Sequence, residues 1–459
     1  MSDATDALLV PLPADRPAVE RRARAVGGFA ANGVTVGIKA SGNPDLAVVL
    51  ATGGVVPAAA VTTPNRFAAA PVTLTRANLR ATGGGDVTAG YARVVVATSG
   101  SANAATGPAG DADQAEIGRA AAAAGGCSPE HVLHLSTGVI GTRLPLDKVL
   151  PGVRGVVGGD TSARDSGLAN AAAALRTTDS TIKMATAVVQ APAVDGPGTV
   201  PVRVTGIAKG VGMIHPRMAT MLSILLTDAT AEPSTLREIL AAAAATTWNQ
   251  LSVDGDTSTN DTVVILASGR AGAADASAGP EARAALTAAV EAVARDLARQ
   301  QAADGEGATA LITCQVTGAA DGADARAIAR AVVASDLVKA AVHGRDPNWG
   351  RVAGAAGNAV VAEAATLEAA GMAPDAARAR AGQPAAVDPA TMRIAIAGHL
   401  VYDGPAGGPV GVFKAVVRRS MRGREVLIRI DVGLGNGAGE AFGCDLTEGY
   451  VKENAEYTS

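Results

Sequence analysis

From Gly28 onward, short Val- and Ile-rich runs alternate with glycine-rich turns. The run Arg93 to Ala97 predicts a buried strand, followed by a small-residue loop from Thr98 to Asn103. Leu46 to Asn65 carries two Pro and two Gly and reads as strand–turn–strand. Met221 to Leu226, Thr262 to Leu266, Leu311 to Val316, Met392 to Ala397 and Val426 to Ile430 complete a strand-rich set. Helical periods interrupt these strands. Glu116 to Ala124 reads as an Ala-rich helix ended by Gly125-Gly126. Thr235 and Glu238 stand at capping-box spacing before a stripe of Leu236, Ile239, Leu240 and Ala243. A long amphipathic helix from Ala282 to Gln301 places Leu286, Val290, Val293 and Leu297 on one face. Strands and helices come in clusters, not in strict βαβ alternation, which predicts α+β layers of sheet and helix. Residues 1–27 are Pro- and Arg-interrupted and read as a flexible N-terminal extension. Leu367 to Pro389 reads as an inserted surface loop or loose helix.

Composition narrows the function classes. A chain of 459 residues, 48% hydrophobic, is long enough for a large core and too apolar for disorder. The net charge of −4, the lack of Lys/Arg runs and an aromatic content of 2% argue against nucleic-acid binding. The first residues carry acids early and have no basic region followed by a long apolar stretch, so no leader and no membrane span are expected. Three widely spaced cysteines without CxxC spacing fit reduced thiols, hence a soluble cytoplasmic protein.

Several familiar chemical patterns fail. Gly433 to Ala438 approximates GxGxxA, but no helix follows to receive a pyrophosphate, so a glycine-rich turn is expected. The segment opening at Asp254 lacks the central Gly and final acid of a calcium loop. His131 and His134 lack a third ligand and read as surface or capping histidines; no metal is expected. There is no GxSxG elbow.

The stretch from Lys209 to Leu222 remains: a glycine run, a proline, and an Ala219-Thr220 bond that opens an apolar segment. A Thr freed at its own N-terminus carries an α-amine whose reference pKa is about 8, a base suited to neutral pH. The alternative is a plain β-branched residue that starts a strand, and spacing alone leaves both open. Leu135 to Gly141 offers oxyanion donors in a glycine-bracketed turn, or a turn that is purely conformational.

Read together, KGVGMIHPRMATMLSILLTDA, STGVIGTRLPLDKV and DGDTSTNDTVV resemble the ornithine acetyltransferase family of arginine biosynthesis. GIKASGNPDLAVV, TSGSANAATG, TTDSTIK, DGEGAT, VHGRDPNWGRVA and the C-terminal GCDLTEGYVKENAEYTS match in the same order, from about Gly28 to Ser459. The resemblance implies an α+β fold of two stacked sheets sandwiched by helices, shared with self-processing aminopeptidases, and a second, smaller α/β lobe. It implies cleavage between Ala219 and Thr220 into an α chain (28–219 beyond the extension) and a β chain (220–459), assembled as α2β2 or larger. The implied chemistry moves acetyl from N-acetylornithine to Thr220 and then to glutamate; some members accept acetyl-CoA as donor, and no bound cofactor is implied. Carried over residue by residue, Thr220 is the nucleophile and Thr137 with Gly138 forms the oxyanion hole. Thr177, Lys209, Glu306, Asn454 and Ser459 contact substrate. Departures occur at His215 and Arg217, at Arg176 and Ser180 beside Thr177, and at Ala310 after DGEGAT. They leave room for a specialised-pathway acyltransferase with another amino acid. An N-terminal-Thr amidohydrolase or aminopeptidase and an uncleaved structural relative are the other readings.

Overall fold

The computed structural model describes residues 16–215 and 221–455. Strands β2 (Phe29–Val34), β3 (Leu46–Ala51), β6 (Val94–Ser101) and β7 (Val132–Val139) form a four-stranded sheet in that order. A second sheet joins β1 (Val19–Glu20), β8 (Lys183–Pro192), β9 (Thr199–Lys209), β10 (Leu222–Thr227), β12 (Thr262–Ala267), β4 (Val56–Thr62) and β5 (Ala89–Ala92). Every residue of β10 and β12 is buried, because both faces of this sheet are covered. The period of two divides them. Leu222, Ile224 and Leu226 meet Val49, Ala97 and Leu135 of the four-stranded sheet. Leu225, Val263 and Ile265 point the other way, toward helices.

Those helices are α5 (Pro233–Thr246) and α6 (Pro280–Ala303), which bring Leu236, Ile239, Leu240, Val290, Val293 and Leu297 to the sheet. On the far side, α2 (Gly107–Gly125) and α3 (Leu146–Gly155) pack Ile117, Ala121, Val149 and Val153 against Leu46, Val48, Val94 and Val96. Helices α1 (Ala70–Thr82) and α4 (Asp165–Leu175) add Leu79, Leu168, Ala171 and Leu175 to the core that the two sheets share. The result is the expected α+β sandwich: helices, sheet, sheet, helices.

A second lobe has its own core. Its sheet runs β11 (Leu251–Ser252), β18 (Gly437–Cys444), β13 (Leu311–Ala319), β17 (Glu425–Asp431), β14 (Arg393–Ile396), β15 (His399–Asp403) and β16 (Gly408–Pro409). Ile312, Val316, Ile394 and Ile430 meet Ile328 and Val332 of α7 (Gly322–Ala334). Helices α8 (Asp336–His343), α9 (Trp349–Gly357), α10 (Ala364–Ala369), α11 (Pro374–Arg380), α12 (Lys414–Ser420) and α13 (Glu448–Ala455) complete the lobe's chain.

Three local expectations are corrected. The capping box at Thr235 does not form: α5 begins at Pro233, Glu232 is its N-cap without a side-chain bond, and Thr235 is buried. The insertion after Leu367 is not a loose loop. Leu367, Ala377 and Ala385 reach the lobe core, Val361 N–H donates to Gln383 O, and Arg380 pairs with buried Asp324. The described part of the extension, residues 16–27, is seated on the fold: Val19 pairs with Ala187, Arg21 with Asp296 at 3.0 Å and Arg16 with Glu440 at 3.1 Å.

Candidate active site

Strands β9 and β10 run antiparallel with Lys209 opposite Leu222. The chain therefore leaves the sheet and re-enters it at one point. A cavity of about 300 Å3 opens there, lined by Thr137, Gly138, Thr177, Lys209, Glu306 and Asn454 among others. These are all the expected site residues that fall within the described chain. Met221 also lines the cavity; Thr220, Ala219, Arg217 and Ser459 lie outside the described residues.

Thr137 and Gly138 belong to the end of β7 itself, not to a turn after it. The β6–β7 register shifts here. Gly138 has φ 132°, and a Cβ on it would stand 2.3 Å from the carbonyl carbon of Gly100, so only glycine fits. Asn260 fixes this corner: its amide donates to Ala102 O at 2.7 Å and to Ser136 O at 2.9 Å. Upstream on β7, His134 is fully buried and bonded through Nδ1 to Gln114 at 3.0 Å, which corrects its expected surface role. Burial pushes its pKa down to about 3, so it is neutral.

Lys209 ends β9, buried rather than solvated. Its ammonium donates to Thr177 Oγ1 at 2.8 Å and to Thr137 Oγ1 at 3.3 Å. A hydroxyl that accepts from an ammonium keeps its own proton to donate, so Thr137 can offer an O–H to a reacting oxygen. Burial lowers the Lys209 pKa, and Asp179 opposes that shift. Asp179, itself buried, accepts from Lys183 at 2.7 Å, from Gly210 N–H at 2.7 Å and from Thr177 N–H at 3.0 Å. Burial alone would raise its pKa, but Lys209, Lys183 and these donors hold it well below the usual carboxylate range.

Glu306 faces the same cavity from the segment before β13. Its carboxylate accepts from Thr178 Oγ1 at 2.8 Å and from Asn454 Nδ2 of α13 at 2.9 Å. Both oxygens retain acceptor capacity for an ammonium. Gly212 is the close neighbour that permits this: a Cβ there would meet Glu306 Oε2 at 2.2 Å. Lys183 bonds Asp304 at 2.5 Å, and Ser180 and the Thr181 N–H donate to the same carboxylate, so TTDSTIK and DGEGAT are tied together at both Asp304 and Glu306. Thr178, Asp179, Lys183 and Asn260 were not singled out by sequence reasoning, although the motifs quoted there contain them. What the motifs lacked was the pairing. The arrangement offers a cation with two hydroxyls on one side, a fixed carboxylate on the other, and room for a ligand of amino-acid size.

Comparison with known proteins agrees with the order of motifs. The profile of the ArgJ family matches residues 30–459. The arginine biosynthesis bifunctional protein ArgJ of Thermosynechococcus vestitus is 42% identical over 437 residues, which is 94% of this chain and 96% of that protein. Its namesake in Deinococcus radiodurans is 41% identical over 432 residues, covering 94% and 97%. A crystal structure of the Bacillus halodurans ArgJ protein matches at 37% identity and TM-score 0.44, over 51% of this chain and 99% of that chain. A family profile spanning nearly the whole chain, together with relatives above 40% identity, leads to one conclusion: the chain belongs to the ArgJ family.

Proposed function

We propose that this chain is an acetyltransferase of arginine biosynthesis that carries acetyl from N-acetylornithine to glutamate through an acetyl-Thr220 enzyme. Membership of the ArgJ family supports the reaction class. The observation that supports the site reading most is the meeting of Lys209 and Glu306 in one cavity with Thr137 and Gly138. Acetyl leaves the α-nitrogen of N-acetylornithine and ends on the α-nitrogen of glutamate; Lys209 receives the α-carboxylate and Glu306 the side-chain ammonium of ornithine, which turns the α-nitrogen toward the acyl group.

In this reading the Ala219-Thr220 bond is cut by the chain itself, and the new Thr220 amine takes the proton of its own hydroxyl during attack. Thr137 O–H and Gly138 N–H then receive the oxyanion of the tetrahedral intermediate. Ornithine leaves before glutamate enters, because both place the α-carboxylate on the same cation. No bound cofactor enters these steps, acetyl-CoA is an alternative donor, and the two chains assemble as α2β2 or larger. Among the described residues no helix is long and apolar enough to cross a membrane.

The test is the intact mass of the purified protein under denaturing conditions, followed by transfer assays. Two chains split before Thr220, and glutamate-dependent loss of N-acetylornithine, are expected. Thr220→Ala should yield one uncut, inactive chain; normal processing in that variant overturns the nucleophile assignment.

A further inference from the structure

The segment that joins β9 to β10 is held along its first part by a group outside the cavity. Asp254, which follows β11, accepts the N–H of Met213 at 2.5 Å on one oxygen and the N–H of Ile214 at 2.8 Å on the other. Its Oδ1 also accepts from Asp256 N–H at 3.2 Å. Met213 is thereby kept at φ 53°, a backbone conformation that side-chain-bearing residues rarely adopt. The neighbours of Asp254 extend the hold. Val253 N–H donates to Ile214 O at 2.6 Å, and Thr257 Oγ1 donates to His215 O at 2.9 Å. His215 Nδ1 lies 3.0 Å from Ser252 Oγ, and Ile214 pairs with Thr257 as an antiparallel bridge. The phenol of Tyr450 in α13, pushed up by burial and by the carboxylates of Asp254, Asp256 and Glu306, brings the C-terminal helix to the same place.

These contacts join residues 213–215, upstream of the Ala219-Thr220 bond, to residues 252–257, downstream of it. A hydroxyl attacks the carbonyl before it only from a bent backbone, and ordering a long connection into that bend is costly. Pinning residues 213–215 shortens the stretch that must be ordered.

We propose that Asp254 is the positioning residue of the self-processing step: it anchors the upstream arm of the cleavage segment, and it keeps that arm docked on the second chain after the cut. The inference rests on the self-cleavage reading above. In that step the Thr220 Oγ bonds to the Ala219 carbonyl carbon and the Ala219 C–N bond breaks. The Oγ proton passes to the departing nitrogen, which becomes the Thr220 amine. Water then hydrolyses the resulting ester, returning the Oγ–H and leaving a carboxylate on Ala219. Asp254 acts through the amides of Met213 and Ile214. It sets where the arm begins.

The experiment follows cleavage of freshly synthesised full-length chain by intact mass, for the unaltered protein, Asp254→Ala and Asp254→Asn. Loss of two hydrogen bonds to a carboxylate should slow cleavage about tenfold or more in Asp254→Ala. Asp254→Asn, which keeps one acceptor, should fall between the two. A second measurement does not depend on cutting: hydrogen exchange at the 213 and 214 amides in the uncut Thr220→Ala chain, with and without Asp254→Asn. Faster exchange confined to those amides is expected, with the melting temperature nearly unchanged. Cleavage at the unaltered rate in Asp254→Ala, or unchanged exchange at both amides, overturns the anchor while leaving the nucleophile assignment intact. An unaltered chain that never cleaves overturns both.

Discussion

Lys209 stands 3.9 Å from Asp179, and the same carboxylate is bonded to Lys183 at 2.7 Å, so one buried anion serves two buried cations. That relationship sets the charge on the side of the cavity where Thr137 and Thr177 receive the Lys209 ammonium.

Asp179→Asn should therefore change how activity depends on pH. Burial lowers the Lys209 pKa and Asp179 raises it back in part, so removing the anion leaves burial less opposed. Lys209 then loses its proton at lower pH, and the alkaline fall of kcat/KM moves to lower pH. A kcat/KM profile measured on both proteins checks the direction. An unmoved alkaline limb would mean that the charge of Lys209 is irrelevant to turnover.

Glu306→Gln preserves shape and removes the charge that the proposed function assigns to the substrate ammonium. Its contacts with Thr178 and Asn454 are oriented by hydrogen bonds that a carboxamide can satisfy only in part. A loss of about 10- to 100-fold in kcat/KM for transfer is expected, the range of a lost charge-assisted bond. Self-cleavage should proceed normally. Equal kcat/KM in the two proteins would remove Glu306 from substrate recognition.

His134 gives a prediction about stability. Its folded-state pKa is pushed down to about 3 by burial, well below its value in the unfolded chain. Between those values the unfolded chain binds a proton that the folded chain does not, so stability falls as the pH falls. For this one group the loss from pH 6.5 to pH 5 is about 2 kcal/mol. Urea unfolding of the unaltered protein and of His134→Gln at both pH values should show a shallower pH slope in the variant. Equal slopes would place the acid sensitivity elsewhere.

Much of the sandwich was legible because its inner strands are covered on both faces. Runs such as Thr262 to Leu266 and Met221 to Leu226 are apolar but for Thr262 and Ser223, with no alternation of polar positions, as a strand covered on both faces requires. The boundaries were less legible. β6 continues to Ser101 through residues that read as a loop, because Ser99 Oγ donates to Ala174 O and Ser101 Oγ to Thr142 O. Small hydroxyl side chains hide a strand when their partners are distant in sequence. The same distance hid Asp179: nothing local says that its carboxylate will lie between Lys183 and Lys209. His134 was misread for a similar reason, since Gln114 comes from another element. The insertion after Leu367 looked loose because Ala and Arg reveal no face until Asp324 and the lobe core receive them.

The pairing of β9 with β10 runs for six residues, from Lys209 opposite Leu222 to Val204 opposite Thr227, directly across the segment that carries the Ala219-Thr220 bond. A ladder of that length, buried between two layers, would keep both strands in place after the proposed cut. The cost appears only on unfolding. Halves that once shared a tether must then find each other in solution, so a one-body refolding becomes a two-body search whose yield falls with dilution. The proposed cut would convert a protein that can be taken apart and rebuilt into one best assembled a single time.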